Sequence, residues 1–284
     1  MPFGRNLTAA AVEYMYDGGL PGLYSCIYDC VYADEMPAHI RRAGETAFGL
    51  FPQKEVATDE RRALRVRNAI HDKISPAALE LVETVFYSCL KDKELHILRF
   101  LLLGFATGPA VMRMPGDARV HALKQAERHF WREQHLLLGF IRFTDYEGFL
   151  AAAITPKNYA LPFLARHFCE RYRHESFMIY DKTHSMALVY KEYKPEFVRL
   201  EKFCFNPPPE KEESYRALWK QFYNAIAIEA RVNLKCRMTH MHKRYWENMP
   251  EMEDALLPGA PPRGAPSQIQ ERSPRGITDG ALIL

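Results

Sequence analysis

The chain has 284 residues, 48% hydrophobic and 12% aromatic, which supports a sizeable buried core and excludes a disordered or fibrous protein. Its 38 lysines and arginines stand against 35 aspartates and glutamates, for a formal net charge of +3. So weak a bias means that any nucleic-acid role must rest on where the charges cluster.

Cysteines fall at six scattered positions (26, 30, 89, 169, 204 and 236), and the opening MPFGRNLTAA lacks the apolar core of a signal peptide. The longest apolar run, Phe100–Met112, is short for a membrane span and contains Gly108-Pro109. The expectation is a cytoplasmic protein with reduced thiols and no membrane segment.

Residues 12–17 (VEYMYD) alternate as a strand does, and Gly18-Gly19 ends them. The spacing predicts a helix over 20–33 with Leu23, Ile27, Cys30 and Val31 on one face, so Cys26 and Cys30 read as small buried hydrophobes. A short extended piece follows at 38–41. From Asp59 to about Leu137 the pattern is helical, with Asp59, Ser75 and Asp117 as N-caps and Gly108-Pro109 and Pro115-Gly116 as breaks. The helix opening near Asp117 turns Val120, Leu123, Ala126, Phe130 and Leu137 inward.

The period then changes. Residues 138–144 and 149–155 predict one hairpin and 176–181 and 186–193 another, with a helix over 158–173 between them. This β-β-α-β-β order predicts an antiparallel sheet packed with several helices, an α+β fold. After Pro207-Pro208-Pro209 a helix over 212–232 carries Tyr215, Leu218, Trp219, Phe222 and Ile226 as an apolar stripe. One domain is expected over 1–252, built from a β-α segment (12–58), a helical segment (59–137) and the β-β-α-β-β core with its C-terminal helix (138–252). From 253 to 284 proline, glycine, serine and arginine dominate, which predicts a disordered tail.

Several chemistries are excluded by missing motifs. There is no G-x-S-x-G, phosphate-loop or G-x-G-x-x-G sequence, no zinc-deaminase signature, and no C-x3-C-x2-C run for a radical-generating cluster. Cys236, His240 and His242 give C-x3-H-x-H but lack a second ligand pair, so neither a metal nor a cofactor is expected. Asp181, Glu192 and Lys194 form a weak nuclease trio, two carboxylates and a lysine that would hold Mg²⁺ and a water. The same YKEYK segment also suits a solvated edge strand.

Basic residues cluster twice. Arg231, Lys235, Arg237, His240, His242, Lys243 and Arg244 stand together without an acid, followed by Tyr245 and Trp246. Arg113, Arg119, His121, Lys124, Arg128, His129 and Arg132 form the second group, with Asp117 and Glu127 among them. Such charges suit phosphate contacts, and an aromatic beside them suits stacking on an unpaired base; opposition to a helix dipole and capping of a core explain them as well. Glu229 falls in the middle of the 212–232 stripe, where a buried carboxylate needs a cation. His167 and Arg171, one turn apart on the 158–173 helix, are the natural partners.

The stretches GFIRF (139–143), HFCERY (167–172), MIYDKTH (178–184), LWKQFYNAIAIEARVN (218–233) and HMHKRYW-x-N-M-P-E (240–251) resemble a bacterial family of DNA-metabolism or repair proteins built on a domain of unknown function. YDGGLPGLYSCIYDCVY (16–32) resembles the family's N-terminal segment, so the resemblance spans about residues 12–251. Members occur beside a DNA-modification or repair radical SAM protein, and some are fused to a uracil-DNA glycosylase-like domain that this chain lacks. The resemblance implies functional positions at His167, Arg171, Asp181, Glu229, Arg231, His240, Lys243, Arg244, Tyr245 and Trp246; His242 stands where the family usually has proline.

The expectation is therefore a DNA-binding accessory partner of a radical SAM DNA-modification or repair enzyme. Arg231, His240, Lys243, Arg244 and Trp246 would face nucleic acid, and His167, Arg171, Asp181 and Glu229 would form an ion-pair or pocket group beneath. Two alternatives stay open: a metal-dependent nuclease or other hydrolase acting on nucleic acid, and a protein–protein adaptor without DNA contact.

Overall fold

The computed structural model describes residues 7–44, 51–201, 207–226 and 233–252. The chain divides into two compact units, Met1–Glu212 and Glu213–Leu284. The expected tail from 253, with Glu229 and Arg231, lies outside the described residues.

The first unit opens with β1 (Thr8–Tyr16), α1 (Leu20–Ala33), β2 (Glu35–Arg42) and β3 (Gln53–Glu55). They form a parallel sheet in the order β2-β1-β3, where the sequence predicted only isolated extended pieces. The parallel pairing follows from the crossover, because α1 carries the chain back to the start of β1. Gly18 adopts φ 86 to make the turn, and Pro21 sits in the first turn of α1, where its missing N–H costs nothing.

The helices α2 (Glu60–Lys73), α3 (Pro76–Phe86), α4 (Lys93–Thr107) and α5 (Ala118–Phe140) follow. Asp59 accepts from the backbone N–H groups of Arg61 and Arg62, Ser75 from Ala78, and Asp117 from Arg119, so all three expected N-caps form. Side-chain and backbone N–H donation from Arg119 holds the Asp117 carboxyl down at about 2. One core joins Tyr14, Leu23, Ile27 and Cys30 to Ile70, Leu81, Leu98, Phe100 and Leu123. Cys26 and Cys30 are fully buried in it, and burial pushes the Cys26 thiol up to about 12.

Counted from Lys93 to Arg113, the apolar stretch runs 21 residues and contains an 18-residue window of mean hydropathy 1.6, longer than the run read from sequence and enough by length and composition to cross a membrane. Its side chains Leu95, Ile97, Leu98, Phe100 and Leu101 are instead buried in the protein core, and Gly108 (φ 64) turns the chain.

A second sheet follows, with β4 (Thr144–Asp145), β5 (Phe149–Ile154), β6 (Ser176–Asp181), β7 (Met186–Lys191) and β8 (Lys194–Arg199) in that spatial order. The helix α6 (Leu161–Arg171) links β5 to β6. The predicted element order holds, but the sheet is mixed, not antiparallel. β5 and β6 pair in parallel because a helix returns the chain between them, while the pairs β4-β5, β6-β7 and β7-β8 are antiparallel. The predicted strand at 138–144 shrinks to two residues because α5 continues through Phe140. Phe177 and Ile179 alternate with Met178 and Tyr180 along β6, and both pairs are buried, so both faces of this strand are covered.

In the second unit α7 (Glu210–Ala225), which begins at its edge, is followed by α8 (Leu234–His240) and α9 (Lys243–Trp246). The stripe Tyr215, Leu218, Trp219, Phe222 and Ile226 is not buried as its period suggested; these residues are 39% to 59% exposed. The period sets a shared face, and nothing in the period requires that face to be covered.

Candidate functional site

Helix α5 is capped by Asp117, and its inner positions Val120, Leu123, Ala126, Phe130 and Leu137 are buried as expected. Its outer face is basic. His121, Gln125, Arg128, Arg132 and His135 are all exposed. At about 100° per residue they fall within a stripe about 80° wide and about 21 Å long. His129 flanks the stripe on one side and Trp131, 43% exposed, on the other. No acid is exposed along the helix: Glu127 is half-buried and bonds Lys124 at 3.0 Å, and Glu133 is buried. Arg128 and Arg132 form no ion pair among the described residues, whereas Arg119 is spent on Asp117 at 2.7 Å.

Beneath this face lies a polar centre that composition and spacing did not single out. Glu133, 2% exposed, accepts from the backbone N–H groups of Lys157 (3.0 Å) and Asn158 (2.7 Å) and from Asn158 Nδ2 (2.6 Å). Asn158 Oδ1 accepts from the Cys89 backbone N–H at 2.9 Å, which fixes the orientation of the amide. Its Nδ2 therefore donates to His129 Nδ1, 3.1 Å away, which leaves Nε2 as the free ring nitrogen. The Cys89 thiol lies 4.0 Å from the same ring nitrogen.

Next to Asn158, the backbone N–H of Tyr159 donates to the Tyr87 carbonyl at 2.9 Å, and the Tyr159 ring lies 5.2 Å from the His184 ring. His184 is held in turn by Asp181, whose side chain is fully buried at the carboxyl end of β6, paired with Ile154 at the end of β5. Asp181 Oδ1 accepts from the backbone N–H groups of Thr183 (2.9 Å) and His184 (3.1 Å), and Oδ2 lies 2.6 Å from His184 Nδ1. A carboxylate only accepts, so Nδ1 donates to Asp181 and Nε2 is the ring nitrogen left facing away from it. Burial, then the charge of Asp181, pushes the Tyr159 phenol up and keeps it protonated. The Tyr159 hydroxyl and His184 Nε2 make no hydrogen bond to protein among the described residues.

The sequence-predicted residues of the first unit do not gather at this centre. Only Asp181 belongs to it. His167 and Arg171 are exposed on α6, His167 against the Phe168 ring at 5.0 Å and the Arg171 guanidinium 5.8 Å from the Tyr172 ring centre. Their proposed partner Glu229 lies outside the described residues, as does Arg231.

The nuclease trio is not assembled. Glu192 and Tyr193, both with positive φ, form the two-residue turn between β7 and β8, and Lys194 opens β8. Asp181 pairs with Met186 and the turn follows Lys191, so the two carboxylates stand at opposite ends of the hairpin, about 17 Å apart at about 3.4 Å per residue. Among the described residues no group of three or more histidine, cysteine, aspartate or glutamate side chains is placed to hold a metal ion.

HMHKRYW divides by depth. Tyr245 and Trp246 are each 3% exposed, and the Trp246 indole N–H donates to the Met241 carbonyl at 3.1 Å, so Trp246 packs and offers no stacking face. Arg244 lies over the Tyr245 ring at 4.5 Å and donates to its hydroxyl at 2.7 Å. His240 is exposed with its Nδ1 3.0 Å from the Cys236 carbonyl, and Lys243 is exposed. His242 keeps φ −61 and ψ 144, the backbone that a proline at this position would adopt.

The sequence matches the family defined by the domain of unknown function DUF4130 over residues 91–251, more than half of the chain, and the chain belongs to that family. No curated protein matches it. The matched region contains α5, α6, the mixed sheet and the Asp181–His184 pair.

Proposed function

We propose that the chain binds DNA and acts in DNA metabolism or repair in the cytoplasm as the accessory partner of a radical SAM enzyme. The observation that carries the DNA-binding part is the outer face of α5, where Arg128 and Arg132 stand with His121 and His135 on one exposed stripe without an exposed acid. A nucleic-acid backbone is a line of phosphates, and such a stripe meets it with charge-assisted hydrogen bonds that fix position without reading bases. In the second unit, Lys235 and Lys243 are exposed as well. The repair setting and the radical SAM partner rest on the resemblance. Titration of labelled single- and double-stranded oligonucleotides at about 50 mM salt tests the binding, since electrostatic association is strongest there. Measurable affinity that falls steeply as salt rises is expected; no affinity on either oligonucleotide would sink the reading.

The adaptor reading has its own observation, the exposed apolar stripe on α7. Polar substitution of Leu218 and Phe222 would then abolish co-purification of the radical SAM partner while leaving DNA affinity unchanged.

A further inference from the structure

We propose that Asp181, His184 and Tyr159 form an acid–base site that hydrolyses a phosphodiester of the nucleic acid held on α5. The inference rests on the DNA-binding reading and adds a reaction to it. Three observations carry it. A fully buried carboxylate spends one oxygen on two backbone N–H groups and the other on His184 Nδ1, so the imidazole is fixed with its basic nitrogen outward. A half-buried phenol, its ring 5.2 Å from that imidazole, keeps its proton, and its hydroxyl makes no hydrogen bond to protein among the described residues. The pair sits where the parallel strands β5 and β6 end, a position at which α/β units gather ligand-binding loops.

His129, which flanks the α5 stripe, reaches this edge. His129 bonds Asn158 at 3.1 Å, and Tyr159 is the next residue. A strand whose phosphates lie along Arg128 and Arg132 would pass His129, the residue that joins this face to the loop carrying Tyr159.

The step balances with water alone. The water oxygen attacks phosphorus as His184 Nε2 takes its proton, and the imidazolium is stabilised by Asp181. The bond from phosphorus to the leaving oxygen breaks as the Tyr159 hydroxyl protonates that oxygen. Proton return from His184 to Tyr159 through solvent resets the site, leaving a phosphate end and a hydroxyl end.

The experiment uses the full chain with two probes, an end-labelled oligonucleotide and bis(p-nitrophenyl) phosphate, and identically purified His184→Gln and Tyr159→Phe variants. The parent is expected to turn over both probes. His184→Gln should lower both rates by about 100-fold or more, the usual scale for a general base, with the melting curve and oligonucleotide affinity unchanged. Tyr159→Phe should slow the oligonucleotide far more than the p-nitrophenyl ester, whose leaving group needs no proton; a merely structural role would slow both alike. No turnover of either probe by the parent, or a His184→Gln variant as fast as the parent, would overturn the inference. If binding persists while turnover is absent, the hydrolytic site fails and the DNA-binding reading stands.

Discussion

Helices α5 and α7 carry equally regular apolar stripes and meet opposite fates. On α5, Val120, Leu123, Phe130 and Leu137 are buried, and the polar side is left as a basic face. On α7, no described residue is buried, and the rings of Trp219 and Phe222 lie 5.8 Å apart on the exposed stripe. A 3.6-residue period states which side chains share a face; whether that face is covered depends on elements arriving from elsewhere in the chain. For α5 those elements are α3, α4 and α6, which pack against it. The difference separates two kinds of surface, one fit for phosphate and one fit for an apolar partner.

The largest effect expected is on the covered helix. Phe130→Ala should cost about 3–5 kcal/mol in a urea melt, since a fully buried ring in contact with Phe163 and Trp131 is removed. A variant as stable as the parent would mean that α5 is not anchored as described. Next comes the polar anchor. Glu133→Ala leaves the backbone donors of Lys157 and Asn158 and the Asn158 amide without their acceptor, at a cost of about 3 kcal/mol. Glu133→Gln keeps an acceptor oxygen and should cost less; equal losses would show that volume, not hydrogen bonding, is what Glu133 supplies.

Smaller still, Phe222→Ala on α7 should move the same melt by no more than about 0.5 kcal/mol, because an exposed side chain gives up little on truncation. A loss like that of Phe130→Ala would show that the α7 stripe is covered in solution. The thiols sharpen the contrast between core and surface: Cys26 and Cys30 should resist alkylation in the native protein, while exposed Cys89 and Cys236 react. Mass spectrometry of the alkylated chain decides between these outcomes.

Local chemistry was legible in the sequence wherever its cause is local. Asp59, Ser75 and Asp117 announce three helices because an N-cap acts within its own turn. The β-β-α-β-β order was legible too, but not the mixed pairing, because the direction of β6 depends on how α6 returns the chain. The polar centre shows the same limit. Glu133 and Asn158 stand 25 residues apart on elements of different period, and only the packing of α5 beside the loop after β5 joins them. His184 left a faint signal: Asp181 and His184 are three apart in a turn, a spacing at which a carboxylate caps backbone N–H groups and reaches the ring. Trp246 misled because an aromatic beside basic residues reads as a stacking face, and burial alone assigns it to packing.

The salt dependence of duplex binding by Arg128→Ala/Arg132→Ala tests the basic face of α5 most directly. Each lost phosphate contact removes about 0.9 from the slope of log affinity against log salt. The double variant should therefore bind more weakly at low salt, with a slope shallower by about 1.8 and an unchanged melting curve. A variant that binds with the parent's affinity and the parent's slope would contradict the assignment of α5 as the DNA-binding face.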